Sequence, residues 1–572
     1  MDAQAATAVN NSIEVILPLI VVSAGALAVL VADLFLGPRT KGLLAWLAAA
    51  VLVVTMAVAV GQWVTFSGGL SFSGRAPEAG FADMVVMDKF GLFFVLLFGA
   101  AGLLTVLLGD AYLAARGAAR GEFYALLLLV IAGMIGLATA TDLISFFVAF
   151  ELMSLPTYVL AGYARRDPLA GEASLKYFIN GAFSSAILLF GFAVLYAISG
   201  STTFSAISAG LEEPSLGQGA AMVGFVLIAA GFGFKIAAVP FHGWAPDAYQ
   251  GAPTPVTTFM SVGIKAAAFA GFLRLFAAAV LPAWEVWTPI LMVLAVVTMI
   301  VGNVLALPQR NIKRLLAYSS IAHAGYLLLG IIALGETGDQ YGSSAVLVYL
   351  VAYTFMNVGA FGMLVFMRNS RPFFRYTLEE LRGYGRTAPL PALALTLFML
   401  SLTGIPPTAG FWGKFYLFSA VVDAGQTWLA IVAVVMSAVS AFYYLRIVWY
   451  MYFEAAPDVL IPGESTALPA SAGAVAAVAQ GDHREVAERP AGDAGSSTVM
   501  STIAADDPAA RAEPSAAPLH ADRQPIDAHL VETDTGTVAA LLVAAAGVLF
   551  IGIWPQGLVW AAQGAVRLLG GG

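Results

Sequence analysis

Six ionisable side chains lie in stretches where an otherwise apolar chain should carry none. Glu151 sits in LISFFVAFELMSLPTY, Lys176 in EASLKYFINGAF and Lys235 in AAGFGFKIAAVPFHGW. Lys265 sits in TFMSVGIKAAAF, His323 in LLAYSSIAHAGYLLLG and Lys414 in SLTGIPPTAGFWGKFYLF. Charges at the centre of a membrane helix cost kilocalories and so mark ion or proton paths. Taking a lysine out of water disfavours its charged form, and a neighbouring carboxylate restores it. A chain of such lysines, gated by a Glu–Lys pair, can load and release protons as the pair opens and closes. Glu151 and Lys176 stand on consecutive antiparallel segments and suit that pair. A static ion pair, or a Lys176 that snorkels to the interface, is the structural alternative. His323 can exchange protons near neutral pH, and a hydrogen-bonded core histidine explains it equally well. The same ambiguity holds for His242.

The elements that position these groups must be membrane helices. The chain has 572 residues, 60% hydrophobic and 11% charged, against about 45–50% and about 25% in soluble domains. With no cysteine, thiolate metal sites, iron–sulfur clusters and disulfides are excluded. Five histidines argue against a multi-His metal or haem site. No nucleotide- or nucleic-acid-binding motif is found. The N-terminus lacks the basic and small-residue pattern of a cleaved signal.

About fourteen segments have the roughly 20 apolar residues that a bilayer crossing needs. They fall near 12–36, 43–66, 88–109, 122–140, 143–163, 174–199, 220–241, 254–279, 287–307, 313–334, 345–367, 389–420, 426–453 and 536–562. Alternate loops are basic, from Arg39 and Lys41 through Arg310, Lys313 and Arg314 to Arg382 and Arg386. The opposite loops are acidic, with Glu78, Asp83, Glu212, Glu213, Glu285, Glu336, Asp339 and Asp423, and Arg75 as the clear exception. Basic loops stay in the cytoplasm, so both termini are expected outside. Residues 456–535, rich in Ala, Gly, Ser, Pro and Asp, read as a disordered cytoplasmic insertion. The aromatic and Met residues read as lipid-facing or packing residues.

Pro240 follows Lys235 by five residues, and Pro406 and Pro407 precede Lys414. Proline removes a helical donor and breaks the helix, and irregular backbone at membrane depth is tolerated only within protein or against water. Segments seven and twelve are therefore each predicted to be broken beside a lysine. They are five segments apart, so they run in opposite directions, as corresponding positions of an inverted repeat do. The expected fold is an all-α polytopic membrane protein with two inverted five-helix repeats, each containing a broken helix. The organisation reads as three N-terminal helices (1–109), a first repeat (110–285), a second repeat (286–455), the insertion (456–535) and a C-terminal helix (536–572).

The segments FELMSLPTYVLAGYARRD, LKYFINGAFSSAILLFG, FKIAAVPFHGWAPDAYQGAPTPVTTFMSVGIKAAAF, RNIKRLLAYSSIAHAGYLLLG and GIPPTAGFWGKFYLF resemble the antiporter-like membrane subunits of bacterial complex I. The resemblance runs from about residue 85 to residue 455. The chain lacks the extended C-terminal helix of the L-type member and has Lys414 where the M-type usually carries Glu. The 456–535 insertion departs from the compact family pattern.

The resemblance implies a proton channel of two half-channels in a NADH–quinone oxidoreductase. Glu151 and Lys176 would be the coupling pair, Lys235 and Lys265 the central relay, and Lys414 the terminal site. It implies no cofactor in this chain, with NADH, FMN, iron–sulfur clusters and quinone held by partner subunits. The implied partners are the M-type antiporter-like subunit, small K-, J- and A-type subunits and the lipid bilayer, and the implied location is the bacterial inner membrane. A Mrp-type cation/proton antiporter subunit is the competing reading, since it shares the lysines and the breaks; a non-transporting membrane scaffold would leave the buried charges unexplained.

Overall fold

The computed structural model describes residues 13–37, 40–66, 79–80, 83–118, 120–371, 374–455 and 534–566. The N-terminus, Arg39, Arg75, Glu78 and all but the last two residues of the expected insertion lie outside the described residues.

The first helices are α1 (Leu17–Phe35) and α2 (Gly42–Phe66), followed by a short antiparallel ribbon of β1 (Ala79–Gly80) and β2 (Val85–Val86). Next come α3 (Lys89–Ala114), α4 (Gly121–Thr139), α5 (Leu143–Ala161), α6 (Pro168–Ser199) and the short α7 (Phe204–Glu212). The broken region holds α8 (Gly217–Ile236), α9 (Trp244–Gly251), α10 (Thr254–Phe259), a π-helical turn (Met260–Ile264) and α11 (Lys265–Ala278). Then follow α12 (Trp284–Ala306), α13 (Ile312–Thr337), α14 (Gln340–Ser370) and the single turn α15 (Tyr384–Thr387). The chain closes with α16 (Pro389–Thr403), α17 (Ala409–Asp423), α18 (Thr427–Tyr452), α19 (Thr535–Ile553) and α20 (Gln556–Val566). These described helices belong to one compact unit.

Among the described residues, 13 helices are long and apolar enough to cross a bilayer. At 15 residues each, α16 and α17 are about 22 Å long, short of the roughly 30 Å hydrocarbon core. The chain is interrupted between them at residues 404–408, where the prolines predicted a break. Lipid offers no hydrogen bonds to the backbone, so helices satisfy their own. Their starts are capped where the sequence supplies Asp or Asn. Asp88 accepts from Gly91 N at 2.8 Å, Asp142 from Ile144 N at 2.7 Å and Asn311 from Arg314 N at 3.1 Å.

Several boundaries differ from expectation by a turn or more, and two of them change the reading. The sixth crossing starts at Pro168 rather than 174, because Asp167 caps it and proline suits the first turn. Lys176 is therefore more than two turns into α6. The last segment is two helices, since Pro555 separates α19 from α20.

The break after α8 begins at Ala237, whose φ of 59° is left-handed. Val239 N, freed from the helix, donates to Thr298 Oγ1 at 3.0 Å, and Trp244 Nε1 covers the Phe234 carbonyl at 3.0 Å. The break after α16 begins at Gly404, with φ 91°. The peptides Val239–Pro240 and Pro406–Pro407 are cis. A buried ion pair that sequence reading did not single out joins α3 to α11. Arg274 Nη1 and Nη2 donate to the two oxygens of Asp88 at 2.6 and 2.7 Å, and Arg274 Nε donates to Ala138 O at 3.0 Å.

Candidate functional site

Lys235 lies in the last turn of α8, directly before the break. It is 2% exposed, and its Nζ donates to Ser154 Oγ of α5 at 2.6 Å. The rings of Phe150, Tyr158 and Tyr177 surround the ammonium at 4.9, 5.2 and 5.7 Å. Ser154 is one turn along α5 from Glu151, whose charge acts on Lys235. Glu151 Oε1 is buried with no hydrogen-bond partner among the described residues, as are the hydroxyls of Tyr158 and Tyr177.

The expected Glu151–Lys176 ion pair is not formed. Lys176 Nζ instead contacts Asp247 Oδ2 at 2.7 Å and Glu172 Oε1, one turn back on α6, at 2.6 Å. Arg314 Nη1 donates to Asp247 Oδ1 at 2.6 Å. With helix α6 starting at Pro168, Lys176 can reach α9, whose only acid is Asp247. Burial alone would push the Asp247 carboxyl up, but the hydrogen bonds from Lys176 and Arg314 prevail and hold it below its ordinary value. Burial holds the His242 imidazole below its ordinary value too, and its Nδ1 is without a partner among the described residues.

Lys265 follows the π-turn directly. It is 2% exposed, and its Nζ donates to Ser320 of α13, to Oγ at 2.6 Å and to the main-chain carbonyl. One turn further along α13 is His323, fully buried, with Nδ1 on the Tyr349 hydroxyl and Nε2 at 3.0 Å from that of Tyr444. Lys414, 5% exposed, donates to Leu402 O at 3.0 Å, Thr403 O at 2.8 Å and Ser437 Oγ at 2.8 Å. The two carbonyls are the end of α16, where the helix dipole favours a cation. Gly404 leaves the room this requires: a Cβ there would stand 3.0 Å from Lys414 Cδ.

Lys313 was read as a loop cation, and this is a correction. It is 2% exposed, and its Nζ donates to Gln250 O at 3.0 Å and Ala252 O at 2.7 Å under the ring of Tyr376. Gln250 near the end of α9 and Ala252 just after it supply those carbonyls, which no local signal in the α13 start announces. Reading the aromatics as packing residues is also too simple, because Tyr326, Tyr349, Tyr443 and Tyr444 carry buried, hydrogen-bonded hydroxyls. Among the described residues no cluster of His, Cys, Asp and Glu is arranged to hold a metal.

Residues 140–440 match the family described as NADH:quinone oxidoreductase/Mrp antiporter, TM, a stretch that contains all six singled-out residues. The chain is 44% identical over 445 residues to NADH-quinone oxidoreductase subunit N of Trichlorobacter lovleyi, covering 77% of this chain and 88% of that protein. It is likewise 44% identical over 474 residues to subunit N of Myxococcus xanthus, covering 77% and 89%. Among solved structures, a chain of respiratory complex I from Thermus thermophilus with bound aureothin is 34% identical with a TM-score of 0.62, covering 77% of this chain and 92% of that one. A chain of the Mrp complex from Dietzia sp. is 25% identical with a TM-score of 0.71, covering 97% and 98%.

Proposed function

The chain belongs to the NADH:quinone oxidoreductase/Mrp antiporter membrane family, and from that premise we propose that it is a membrane subunit of a NADH–quinone oxidoreductase that carries protons across the bilayer. The observation that carries this reading is the series Lys235, Lys265, His323 and Lys414. Each is at most 5% exposed, and each is hydrogen-bonded to a hydroxyl that can pass a proton on. Ion pairs that merely stabilise a fold bring opposite charges together, as Arg274 and Asp88 do. None of these lysines has a carboxylate within salt-bridge distance among the described residues.

Glu151 and Lys176 remain the coupling pair of this reading, with Asp247 as the partner that holds Lys176 while the pair is open. Closure would bring Lys176 toward Glu151, whose free oxygen has no other claim on it. Electron transfer from NADH to quinone belongs to partner subunits; the membrane neighbours of this reading are the M-type antiporter-like subunit and the small K-, J- and A-type subunits, and the basic loops face the cytoplasm. The bacterial inner membrane is the setting.

The test is proton pumping per NADH oxidised in inverted membrane vesicles. Lys235→Ala and Lys265→Ala should lower it while the complex still assembles; wild-type pumping in both sinks the relay. A cycle of Glu151→Gln, Lys176→Met and the double variant should be strongly non-additive, and simple multiplication of the two losses would separate the pair. The greater coverage and TM-score of the Mrp chain favour a second reading, a cation/proton antiporter subunit. Against it stands the higher identity to the subunit N relatives. Affinity purification decides, since co-purifying NADH-dehydrogenase subunits support the first reading and Mrp subunits the second.

A further inference from the structure

We infer that Lys313 is a positioning residue of the coupling site, which seats α9 so that Asp247 keeps hold of Lys176. The inference rests on the reading of Glu151 and Lys176 as the coupling pair, and it gives a role to the buried lysine that the relay leaves unused. Lys313 acts through α9 and not by touching Lys176.

The end of α9 cannot satisfy its own backbone. Pro253 has no N–H to give to Tyr249 O, and the Thr257 hydroxyl covers that carbonyl instead, at 2.9 Å. The last carbonyls of a helix need partners from elsewhere. At Gln250 and Ala252 the partner is Lys313 Nζ, at 3.0 and 2.7 Å, and a helix C-terminus favours such a cation. An ammonium has three N–H donors. Two serve these carbonyls, and the Tyr376 ring, its centre 5.3 Å away, covers a further side. Tyr376 is held in turn, since its carbonyl accepts from Ile312 N at 2.7 Å and its hydroxyl lies 2.9 Å from Thr254 Oγ1. A buried ammonium with no carboxylate in salt-bridge distance among the described residues is costly, and the end of α9 is what its hydrogen bonds hold.

Asp247 is one turn back from Gln250 on α9. Its Oδ2 accepts from Lys176 Nζ at 2.7 Å and its Oδ1 from Arg314 Nη1 at 2.6 Å. Arg314 follows Lys313 directly, and its Nη1 also donates to Gln250 Oε1 at 3.2 Å. Two consecutive residues of α13 thus grip α9, one by its main chain and the other by its side chains. On its other side α9 is seated against α6. A Cβ on Gly251 would lie 2.3 Å from Leu169 O and 2.7 Å from Ala173 Cβ. The Trp244 ring stacks on that of Tyr177 with centroids 4.2 Å apart. Ala173 and Tyr177 bracket Lys176 on α6, so the place of α9 fixes how Asp247 meets Lys176. A neutral apolar side chain at 313 leaves two carbonyls without a donor. The helix then shifts, Asp247 goes with it, and Lys176 loses the partner that keeps it from Glu151.

The experiment measures pumping per NADH oxidised in inverted vesicles, normalised to assembled complex. It compares Lys313→Met, Lys313→Arg, Asp247→Asn and the double Lys313→Met/Asp247→Asn. Lys313→Met should lower pumping by roughly three- to tenfold, the scale of one lost hydrogen bond. The double should fall no further than the worse single, because both changes free Lys176 from the same acid. Lys313→Arg should pump close to wild type. Arginine keeps the charge that α9 needs but stays protonated near neutral pH, so it could not replace a lysine that itself carried protons. Normal pumping per assembled complex in Lys313→Met overturns the inference, because Lys313 would then serve assembly alone. Losses that multiply overturn it too, as does a Lys313→Arg complex that assembles and pumps no better than Lys313→Met. Should Lys313→Met not assemble, Lys313→Gln, which keeps an amide donor for the carbonyls, takes its place in the cycle. The cycle decides by itself if Lys313→Arg does not assemble. Wild-type pumping in Asp247→Asn would mean that the hold on Lys176 has no function, and the coupling reading falls with it. A crippled Asp247→Asn beside a normal Lys313→Met sinks only the role of Lys313.

Discussion

The two breaks in the membrane helices share a backbone device and differ in where they put the lysine. Helix α8 ends at Ala237 with φ 59°, and α16 ends at Gly404 with φ 91°. In each case a proline follows three residues later, Pro240 and Pro407. Lys235 precedes its left-handed residue by two positions, whereas Lys414 follows its own by ten. The consequence is chemical. Lys414 turns back onto the carbonyls that the broken helix α16 leaves free, Leu402 O and Thr403 O. Lys235 cannot reach the carbonyls ahead of it and depends on one neutral hydroxyl, Ser154, with Glu151 acting from a distance. A lysine held by fixed main-chain dipoles suits a terminal site with a constant environment. One held by a single hydroxyl and a distant carboxylate suits a site whose charge state answers to a switch.

The sharpest way to break this comparison is Gly404→Ala. Alanine in the left-handed region costs roughly 1–2 kcal/mol. Its Cβ would also meet Lys414 Cδ at 3.0 Å, so the lysine stem must shift and its contacts to the α16 carbonyls are expected to weaken. Pumping should fall about tenfold, the equivalent of ~1.4 kcal/mol in the relay step, with the subunit still inserted and assembled. Unimpaired pumping in vesicles would mean that the carbonyl contacts of Lys414 do not matter.

A smaller effect separates the hydroxyls. Ser154→Ala removes the only hydrogen-bond partner of Lys235 among the described residues. Ser437→Ala removes one of three partners of Lys414. With a hydrogen bond worth about 0.5–1.5 kcal/mol, Ser154→Ala should cost several-fold in pumping and Ser437→Ala less than about twofold. Equal losses, measured in the same vesicles, would show that the two lysines are held alike.

The breaks were legible because proline states its effect locally: it withholds a donor wherever it stands. Buried Lys, Glu and His in apolar runs were legible for the same reason. Partners were not. Lys176 meets Asp247, 71 residues away, and Lys313 meets carbonyls 61 and 63 residues away, so their pairing is set by how α9 folds back and not by spacing. Tyr443 and Tyr444 sit in AFYYLRIVWYMYF, where period and composition cannot distinguish a ring facing lipid from one whose hydroxyl faces Asn303. Arg274 in FLRLF looked like part of an apolar helix because its carboxylate, Asp88, is 186 residues away.

The smallest effect belongs to Ala237→Gly, and it is the control that the comparison requires. Alanine at φ 59° is strained, and glycine relieves roughly 1–2 kcal/mol of that. Against this, glycine adds about 0.5–1 kcal/mol of chain entropy to be lost on folding. It also removes a methyl that is 3% exposed, whose burial is worth about 0.8 kcal/mol. These contributions nearly cancel, so thermal stability should stay within about 1 kcal/mol of wild type. Pumping should be unchanged, since Ala237 contributes backbone conformation and no contact to Lys235 Nζ. The same exchange in the other direction at Gly404 is expected to be damaging, because there the added methyl meets the lysine. Should Ala237→Gly and Gly404→Ala reduce pumping equally, the left-handed turn itself, and not the lysine packed against it, would govern the second break as well as the first.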